Sequence, residues 1–352
     1  MLRLDIESGE KDYEVAIDGV DCLDFFIDEI KKEYRKVVFV VDERVKTLYP
    51  CVVNYEKYEV LELEATEKQK TFSNIDNVVD FYQRVNLQNK DVLVALGGGI
   101  IQDIVAFTSK VYHRGVDYYL IPTTLLSMSD SSIGAKCGIN YNDKKNQLGV
   151  FNAPKGVFQN VNFIKTLKYD DVISGVGEIV KLLITGSRED FEYLKENILD
   201  CIDERKPFTT MIYKSLLAKK AVIEEDEYES DLRRILNYGH TFGHAVESLS
   251  DYKIAHGIAV LWGIDFVNYI ALRRGFIEEG VYEEINNAIL SIYDIGGIEI
   301  KDFDLFLEYV KNDKKVEGEE VNIVFPKQIG QLMIRKVKFD DQLLDDMKSY
   351  YL

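Results

Sequence analysis

Short apolar runs alternate with amphipathic stretches through the first half of the chain. LRLDIE and YEVAID alternate apolar and polar positions and predict a hairpin. KVVFVVD, DVLVALGGG and DYYLIPTT are nearly unbroken apolar runs, as expected of strands covered on both faces. Between them CLDFFIDEIKKEY, NIDNVVDFYQRVN and IIQDIVAFTSKVY place apolar residues three and four apart, which predicts helices. Strands interleaved with helices predict a Rossmann-like α/β domain over residues 1–165, with a parallel sheet whose ligands sit at the carboxyl ends of its strands.

From Thr166 the pattern becomes helical. SGVGEIVKLLIT, FEYLKENIL, MIYKSLLAKKAVIEEDE, RILNYGHTFGHAVESL, HGIAVLWGIDFVNYIALRRG, VYEEINNAILSIYDI and FDLFLEYVKNDKK all read as helices. EVNIVFPKQIGQLMIRKV predicts a late β-hairpin, and a last helix follows. The expectation is a mainly α-helical second domain over residues 166–352. With no repeat, low-complexity tract or flexible linker in sight, the two domains are expected to pack closely with a site between them.

Composition narrows the partners. A net charge of −18 argues against nucleic acid and against an anionic membrane surface. No apolar run approaches a membrane span, and the N-terminus is charged from its third residue, so a cytoplasmic protein without a secretory signal is expected. Cys22, Cys51, Cys137 and Cys201 are scattered, without a CxxC pair, as in a reducing compartment. Residues 101–150 depart from the average: Lys110, Arg114, Lys136, Lys144 and Lys145 stand against Asp103, Asp117, Asp130 and Asp143, about one positive charge in excess. A small anion would find its counter-charge there.

Three of the four histidines crowd into residues 233–256. His240 and His244 are four apart on a predicted helix, which puts both imidazoles on one face, and His256 opens the next apolar segment. Two histidines from one helix plus a third ligand from elsewhere commonly hold a catalytic zinc with an open position. Glu178, in the small and apolar context SGVGEIVK, is a candidate third ligand; Lys181 is a candidate acid or donor beside it, although a plain i,i+3 ion pair reads equally from the spacing. Lys219, Arg233 and Asn237 approach the histidine stretch. EEDEYESD at 224–231 reads as a solvated acidic face rather than a second metal site. Gly97-Gly98-Gly99 ends a strand and opens a helix, where backbone can approach a pyrophosphate; it is not the GxGxxG fingerprint. Asp42 ends a strand and suits either a ribose diol or a turn or cap. In IPTTLLSMSDSSIGAKCGINYNDKKNQLG, rich in hydroxyls and small residues, Asp130, Lys136, Lys145 and Asn146 are spaced to line a polyhydroxylated, anionic ligand, with a solvated loop as the plainer reading.

Taken together, GGGIIQD, RGVDYYLIPTTLLSMSDSSIGAKCGIN, KKNQLGVF, SGVGEIVK, DEYESDLRRILNYGHTFGHAVE, HGIAV and NDKKVEG resemble the 3-dehydroquinate synthase family of sugar phosphate cyclases over essentially the whole chain. The resemblance implies an enzyme that turns 3-deoxy-D-arabino-heptulosonate 7-phosphate into 3-dehydroquinate and phosphate, in the shikimate route to aromatic amino acids. It implies NAD, reduced and reoxidised within one turnover, and a divalent metal: zinc first, with cobalt or iron(II) open. The implied reaction is transient oxidation, phosphate elimination, re-reduction and intramolecular aldol closure.

Residue by residue, the resemblance implies Glu178, His240 and His256 as metal ligands and turns His244 toward the phosphate or toward proton transfer. Asp130, Lys181 and Lys219 become hydroxyl-facing groups, and Lys219 with Arg233 a clamp for the substrate carboxylate. Lys136, Lys145, Asn146, Asn237 and Lys315 (in preference to Lys314) would hold the phosphate, joined by Arg114 from a neighbouring subunit in a homodimer. NAD would lie along Asp42, Glu67, Lys70, Gly98, Gly99, Asp103, Thr123, Thr124, Thr166 and Leu167. The chain departs from the family pattern at Gln102, at Gly134-Ala135-Lys136, at Ile258 and in TLKYD, which lacks the usual proline. A specialised cyclase on a related sugar phosphate, an NAD-dependent metal polyol dehydrogenase and a dead-site binding protein are the competing readings. The basic set Arg114, Lys136, Lys145, Lys219 and Arg233 disfavours the polyol reading, since a neutral polyol needs no such charge.

Overall fold

The computed structural model describes residues 1–142, 144–311, 316–317 and 320–350. Lys315, like Asp313 and Lys314, lies outside them. Contacts divide the chain into Met1–Leu167 and Lys168–Leu352.

The first unit contains strands β1 (Leu2–Ile6), β2 (Tyr13–Asp18), β3 (Val37–Asp42), β4 (Glu59–Leu63), β5 (Val92–Gly97), β6 (Asp117–Pro122), β7 (Lys136–Tyr141), β8 (Lys144–Phe151) and β9 (Gly156–Asn160). Its helices are α1 (Asp24–Lys31), α2 (Glu43–Leu48), α3 (Phe72–Arg84) and α4 (Gly99–Val111). Seven strands form one sheet in the order β1-β2-β9-β6-β5-β3-β4. Only the β1–β2 hairpin is antiparallel; the other pairs are parallel. Val37–Val41 and Val92–Gly97 are buried throughout, which is why their sequences are apolar without alternation. The chain passes from β3 outward to β4 and then returns to the other side of β3 as β5, so the strand order reverses between β3 and β5. That reversal opens a crevice at the carboxyl ends, where Asp42 and the glycine triplet stand.

The second unit holds α5 (Tyr169–Gly186), α6 (Arg188–Ile202), α7 (Thr209–Glu225), α8 (His240–Leu249), α9 (His256–Arg273), α10 (Glu279–Ile292), α11 (Phe303–Lys311) and α12 (Asp341–Ser349). A small sheet is made by β10 (Val316–Glu317), β11 (Glu320–Gln328) and β12 (Gln331–Lys338). Helix α9 is the hub: every residue from Gly257 to Asn268 is buried, with α5, α8, α10 and β11 packed on it. Trp262 and Phe266 stack at 4.8 Å, and Phe242 of α8 meets Phe266 edge-on at 4.9 Å. No helix among the described residues is long and apolar enough to cross a membrane.

Glycines set how closely these helices approach. A Cβ on Gly257 would lie 1.8 Å from the Ser174 carbonyl oxygen, and one on Gly177 would lie 2.1 Å from that of Gly257. On the other side of α9, a Cβ on Gly263 would fall 2.1 Å from the Gly239 carbonyl oxygen and one on Gly243 2.8 Å from that of Ala259. Backbone therefore packs directly on backbone at both crossings.

Three features differ from the sequence reading. RILNYGHTFGHAVESL is not one helix: Leu232–Asn237 is a 3-10 turn, Gly239 takes a left-handed conformation (φ 76°), and α8 starts only at His240. Lys136–Tyr141 and Lys144–Phe151 pair as the β7–β8 hairpin, from Lys136↔Phe151 to Tyr141↔Lys144, where the sequence pattern predicts no strand. β4, α2 and β9 also lay outside the predicted elements. In IPTTLLSMSDSS two buried serine hydroxyls serve local backbone. Ser127–Ser131 is a π-helical turn in which Ser127 Oγ donates to the Thr124 carbonyl (2.9 Å) and Ser129 Oγ to that of Leu125 (2.8 Å).

Replacing Gly257 with Ala should force α5 and α9 apart. The expected cost is roughly 1–3 kcal/mol, or a melting temperature lower by about 2–12 °C. Gly280→Ala, at an α10 position with open space around it, should leave the melting temperature unchanged in the same calorimetric scan. Equal behaviour of the two variants would remove the crossing argument.

Candidate metal centre and sheet-end site

The α5–α9 crossing at Gly177 and Gly257 sets the next residue of one helix against the first residue of the other. Glu178 Oε1 lies 3.0 Å from His256 Nε2 and 3.4 Å from His240 Nε2. Glu178 is 2% exposed and its Oε2 is ion-paired with Lys181, itself 3% exposed. Neither carboxylate oxygen makes a hydrogen bond of normal geometry, although both are sealed from water. His244 joins the group: its ring centroid is 5.2 Å from that of His240 and 5.5 Å from that of His256. One ring nitrogen from each of His240, His244 and His256 lies within 4.8 Å of the other two.

The far ring nitrogens are anchored. His256 Nδ1 is 3.0 Å from Glu247 Oε2, and His240 Nδ1 is 3.1 Å from the Tyr238 carbonyl oxygen. Both acceptors favour a proton on Nδ1, which leaves the Nε2 lone pairs facing Glu178 in the neutral rings. Burial by itself would raise the Glu178 carboxyl, but the Lys181 ammonium and the two imidazoles hold it well below the usual carboxylate range. Burial, only partly opposed by Glu178, keeps His240 below the ordinary imidazole value. Burial acts the same way on His256, yet the Glu178 and Glu247 carboxylates raise it to about 9. A sealed carboxylate, ion-paired on one oxygen with Lys181 and faced on the other by anchored imidazole nitrogens, fits a divalent cation. Two three-residue sets share His240 and His256, one completed by Glu178 and the other by His244.

Helix α7 and the turn 232–237 both pack on α5. Lys219 (6% exposed) lies on the buried side of α7, and Arg233 (4% exposed) lies in the turn. The acidic segment 224–231, expected as a solvated face, has no buried residue and also braces its own backbone. Asp226 accepts from Ser230 N and Asp231 N at 2.8 Å and from Arg233 N at 3.0 Å, and these donors contribute to an acidity well below the usual range despite the desolvation that opposes it. Arg233 Nη1 donates to the Glu227 carbonyl, and Asn237 Nδ2 donates to Glu229 Oε1 at 2.9 Å.

In the first unit, Gly97 pairs with Pro122 and accepts from Thr123 N at 3.2 Å, so the glycine triplet and Thr123-Thr124 share one strand end. A Cβ on Gly98 would press on Thr124 Cγ2 at 2.9 Å, and Gly99 is the first residue of α4. Gln102 is buried beneath the turn and donates to the Gly97 carbonyl at 3.3 Å. Asp42 caps α2 by accepting from Arg44 N at 2.9 Å, which is the cap role. Tyr49, just past α2, contacts Thr166 Oγ1 at 2.9 Å, and Leu167 follows that turn. Lys70 is buried and pairs with Asp103 Oδ2 at 2.5 Å; burial pushes the Asp103 carboxyl up. Asn140 of β7 ties Glu67 to the hairpin: its Nδ2 donates to Glu67 Oε1 (2.7 Å) and its Oδ1 accepts from Asn146 N (2.9 Å). Asn146 thus joins the Glu67–Lys70–Asp103 group. Asp130 is half-buried in the π-helical turn, Lys145 is half-buried on β8, and Lys136 is exposed at the start of β7. Arg114 is exposed in a left-handed turn (φ 63°).

Glu247, Asp226 and Asn140 were not among the sequence candidates. Glu247 had a legible signal, seven residues past His240 on the same helix; Asn140 had none. Ile258, beside His256, is buried in the α9 core.

Residues 60–174 match the 3-dehydroquinate synthase N-terminal family and residues 175–316 the 3-dehydroquinate synthase C-terminal family. The chain is 33% identical to 3-dehydroquinate synthase of Dictyoglomus thermophilum over 99% of its own length and 98% of that protein's. Its fold is similar to that of 2-deoxy-scyllo-inosose synthase solved with carbaglucose-6-phosphate, NAD+ and Co2+ (TM-score 0.85, 20% identity, 99% of this chain and 100% of that one). It is also similar to that of 2-epi-5-epi-valiolone synthase from Streptomyces hygroscopicus with NAD+ and Zn2+ (TM-score 0.84, 23% identity, 97% and 96% covered). A buried carboxylate–imidazole centre in a helical unit, a glycine turn at the reversal of a parallel sheet, and family matches that together run from residue 60 to 316 agree on one assignment: the chain belongs to the 3-dehydroquinate synthase family.

Proposed function

We propose that this chain is a 3-dehydroquinate synthase that converts 3-deoxy-D-arabino-heptulosonate 7-phosphate to 3-dehydroquinate and phosphate, using NAD and a divalent metal, zinc in first place. The observation that carries the reading is the sealed Glu178 carboxylate faced by two anchored imidazoles, in a unit that also buries Lys181, Lys219 and Arg233. Two fold neighbours that were solved with NAD+ and either Co2+ or Zn2+ support both cofactors. When bound, NAD supplies a reversible hydride acceptor and the cation supplies Lewis acidity.

The chain's own residues do the rest. Glu178, His240 and His256 hold the metal, while His244 faces the phosphate end and exchanges protons there. Arg233 and Lys219 clamp the substrate carboxylate; an Arg fork suits it bidentately, and both cations are already held away from water. Asp130, Lys181 and Lys219 orient substrate hydroxyls. Lys136, Lys145, Asn146, Asn237 and Lys315 bind the phosphate, together with Arg114 of a second copy in a cytoplasmic homodimer. The pyrophosphate of NAD lies at Gly98 and Gly99, where the N-terminus of α4 favours negative charge. The remaining contacts to NAD come from Asp42, Glu67, Lys70, Asp103, Thr123, Thr124, Thr166 and Leu167. The buried cations of the second unit favour this reading over a neutral polyol substrate.

Three outcomes are expected. Given catalytic NAD and zinc, the protein should release phosphate from 3-deoxy-D-arabino-heptulosonate 7-phosphate over many turnovers per NAD without lasting absorbance at the NADH band. Lasting NADH without phosphate would point to the dehydrogenase reading instead. Arg233→Ala should raise KM for this substrate by about 10–100-fold, the worth of a charge-assisted hydrogen bond, and should leave a decarboxylated analogue little changed; equal losses on both would exclude the clamp. His256→Ala should lose bound zinc and turnover together, and stoichiometric zinc with full activity would exclude His256 as a ligand.

A further inference from the structure

We infer that Glu247 is the positioning residue of the metal centre: it fixes the tautomer and orientation of His256. The inference rests on the metal reading above and adds to it a residue that touches neither metal nor substrate. Glu247 lies seven residues after His240 and three after His244 on α8, so these side chains share the helix face turned to the first residue of α9. Its Oε2 stands 3.0 Å from His256 Nδ1, while the opposite ring nitrogen stands 3.0 Å from Glu178 Oε1. The imidazole is thus held in a line between two carboxylates. An unprotonated Nδ1 would set its lone pair against Glu247, so the neutral ring keeps its hydrogen on Nδ1 and presents the Nε2 lone pair to the centre.

The two imidazoles are not held alike. His240 Nδ1 is held by a backbone carbonyl, a neutral acceptor, whereas His256 Nδ1 is held by a carboxylate. A carboxylate partner makes the opposite nitrogen the stronger electron donor. His256 is therefore the stronger and the more tunable ligand, and Glu247 is the residue through which it is tuned.

The test measures zinc affinity of the full-length protein by competition with a chromogenic chelator, along with the absorption bands of the cobalt(II)-loaded form. Glu247→Ala should weaken zinc by about 10–100-fold and perturb the cobalt bands. Glu247→Gln, which keeps an acceptor oxygen for Nδ1–H, should recover most of that loss. Affinity of Glu247→Ala within twofold of wild type overturns the inference. So does a Glu247→Gln variant as weak as Glu247→Ala, since orientation would then not be what Glu247 supplies. So too does a drop in the melting temperature of the metal-free Glu247→Ala protein large enough to account for the lost affinity, which would reduce Glu247 to packing. No zinc binding by the wild-type chain overturns the metal reading and this inference with it, whereas wild-type binding that Glu247→Ala preserves overturns the inference alone.

Discussion

Everything in the helical unit depends on backbone meeting backbone. Ser174 and Gly177 of α5 press on Gly257 of α9, and Gly239 and Gly243 press on Gly263 and Ala259. Side chains at these points would hold the helices apart at ordinary packing distance, and Glu178 would no longer reach His256. The centre is built one residue away from each contact: Glu178 follows Gly177, His240 follows Gly239, His244 follows Gly243, and His256 precedes Gly257. Removing Cβ atoms brings the helices together, and the neighbouring residues supply the chemistry.

The charge arrangement follows from that closeness. A carboxylate sealed from water is unfavourable unless cations stand near it. Lys181, one helical turn along, provides one, and the two imidazoles across the crossings turn ring nitrogens toward the same carboxylate. The two histidines are pushed in opposite directions: burial takes His240 down, only partly opposed by Glu178, whereas His256, between the Glu178 and Glu247 carboxylates, goes up. In the first unit the corresponding constraint is topological. The reversal of strand order between β3 and β5 sets Asp42 beside the glycine turn, and the parallel register with β6 adds Thr123 and Thr124.

Sequence patterning reached the strands buried on both faces and the amphipathic helices, because burial writes itself directly into their composition. It reached the histidine cluster of His240, His244 and His256 through their crowding and the i,i+4 spacing. It did not reach the break before His240, since the left-handed Gly239 is read only through its contact with Gly263, far along the chain. The β7–β8 hairpin escaped because its exposed, charged β8 strand carries no apolar alternation. Composition counts the charges of the acidic segment 224–231, but not that Asp226 accepts from three backbone amides. Asp42 carried two readings from sequence, and the α2 cap is the one visible in its hydrogen bonds.

The glycine crossings also bear on rigidity. Glu178, His240 and His256 each stand next to a glycine at a backbone crossing, so the packing that folds the helical unit also sets the spacing of these three side chains. For the proposed divalent cation, spacing fixed by packing in this way would lower the entropic cost of gathering the donors, leaving the choice among cations to donor chemistry.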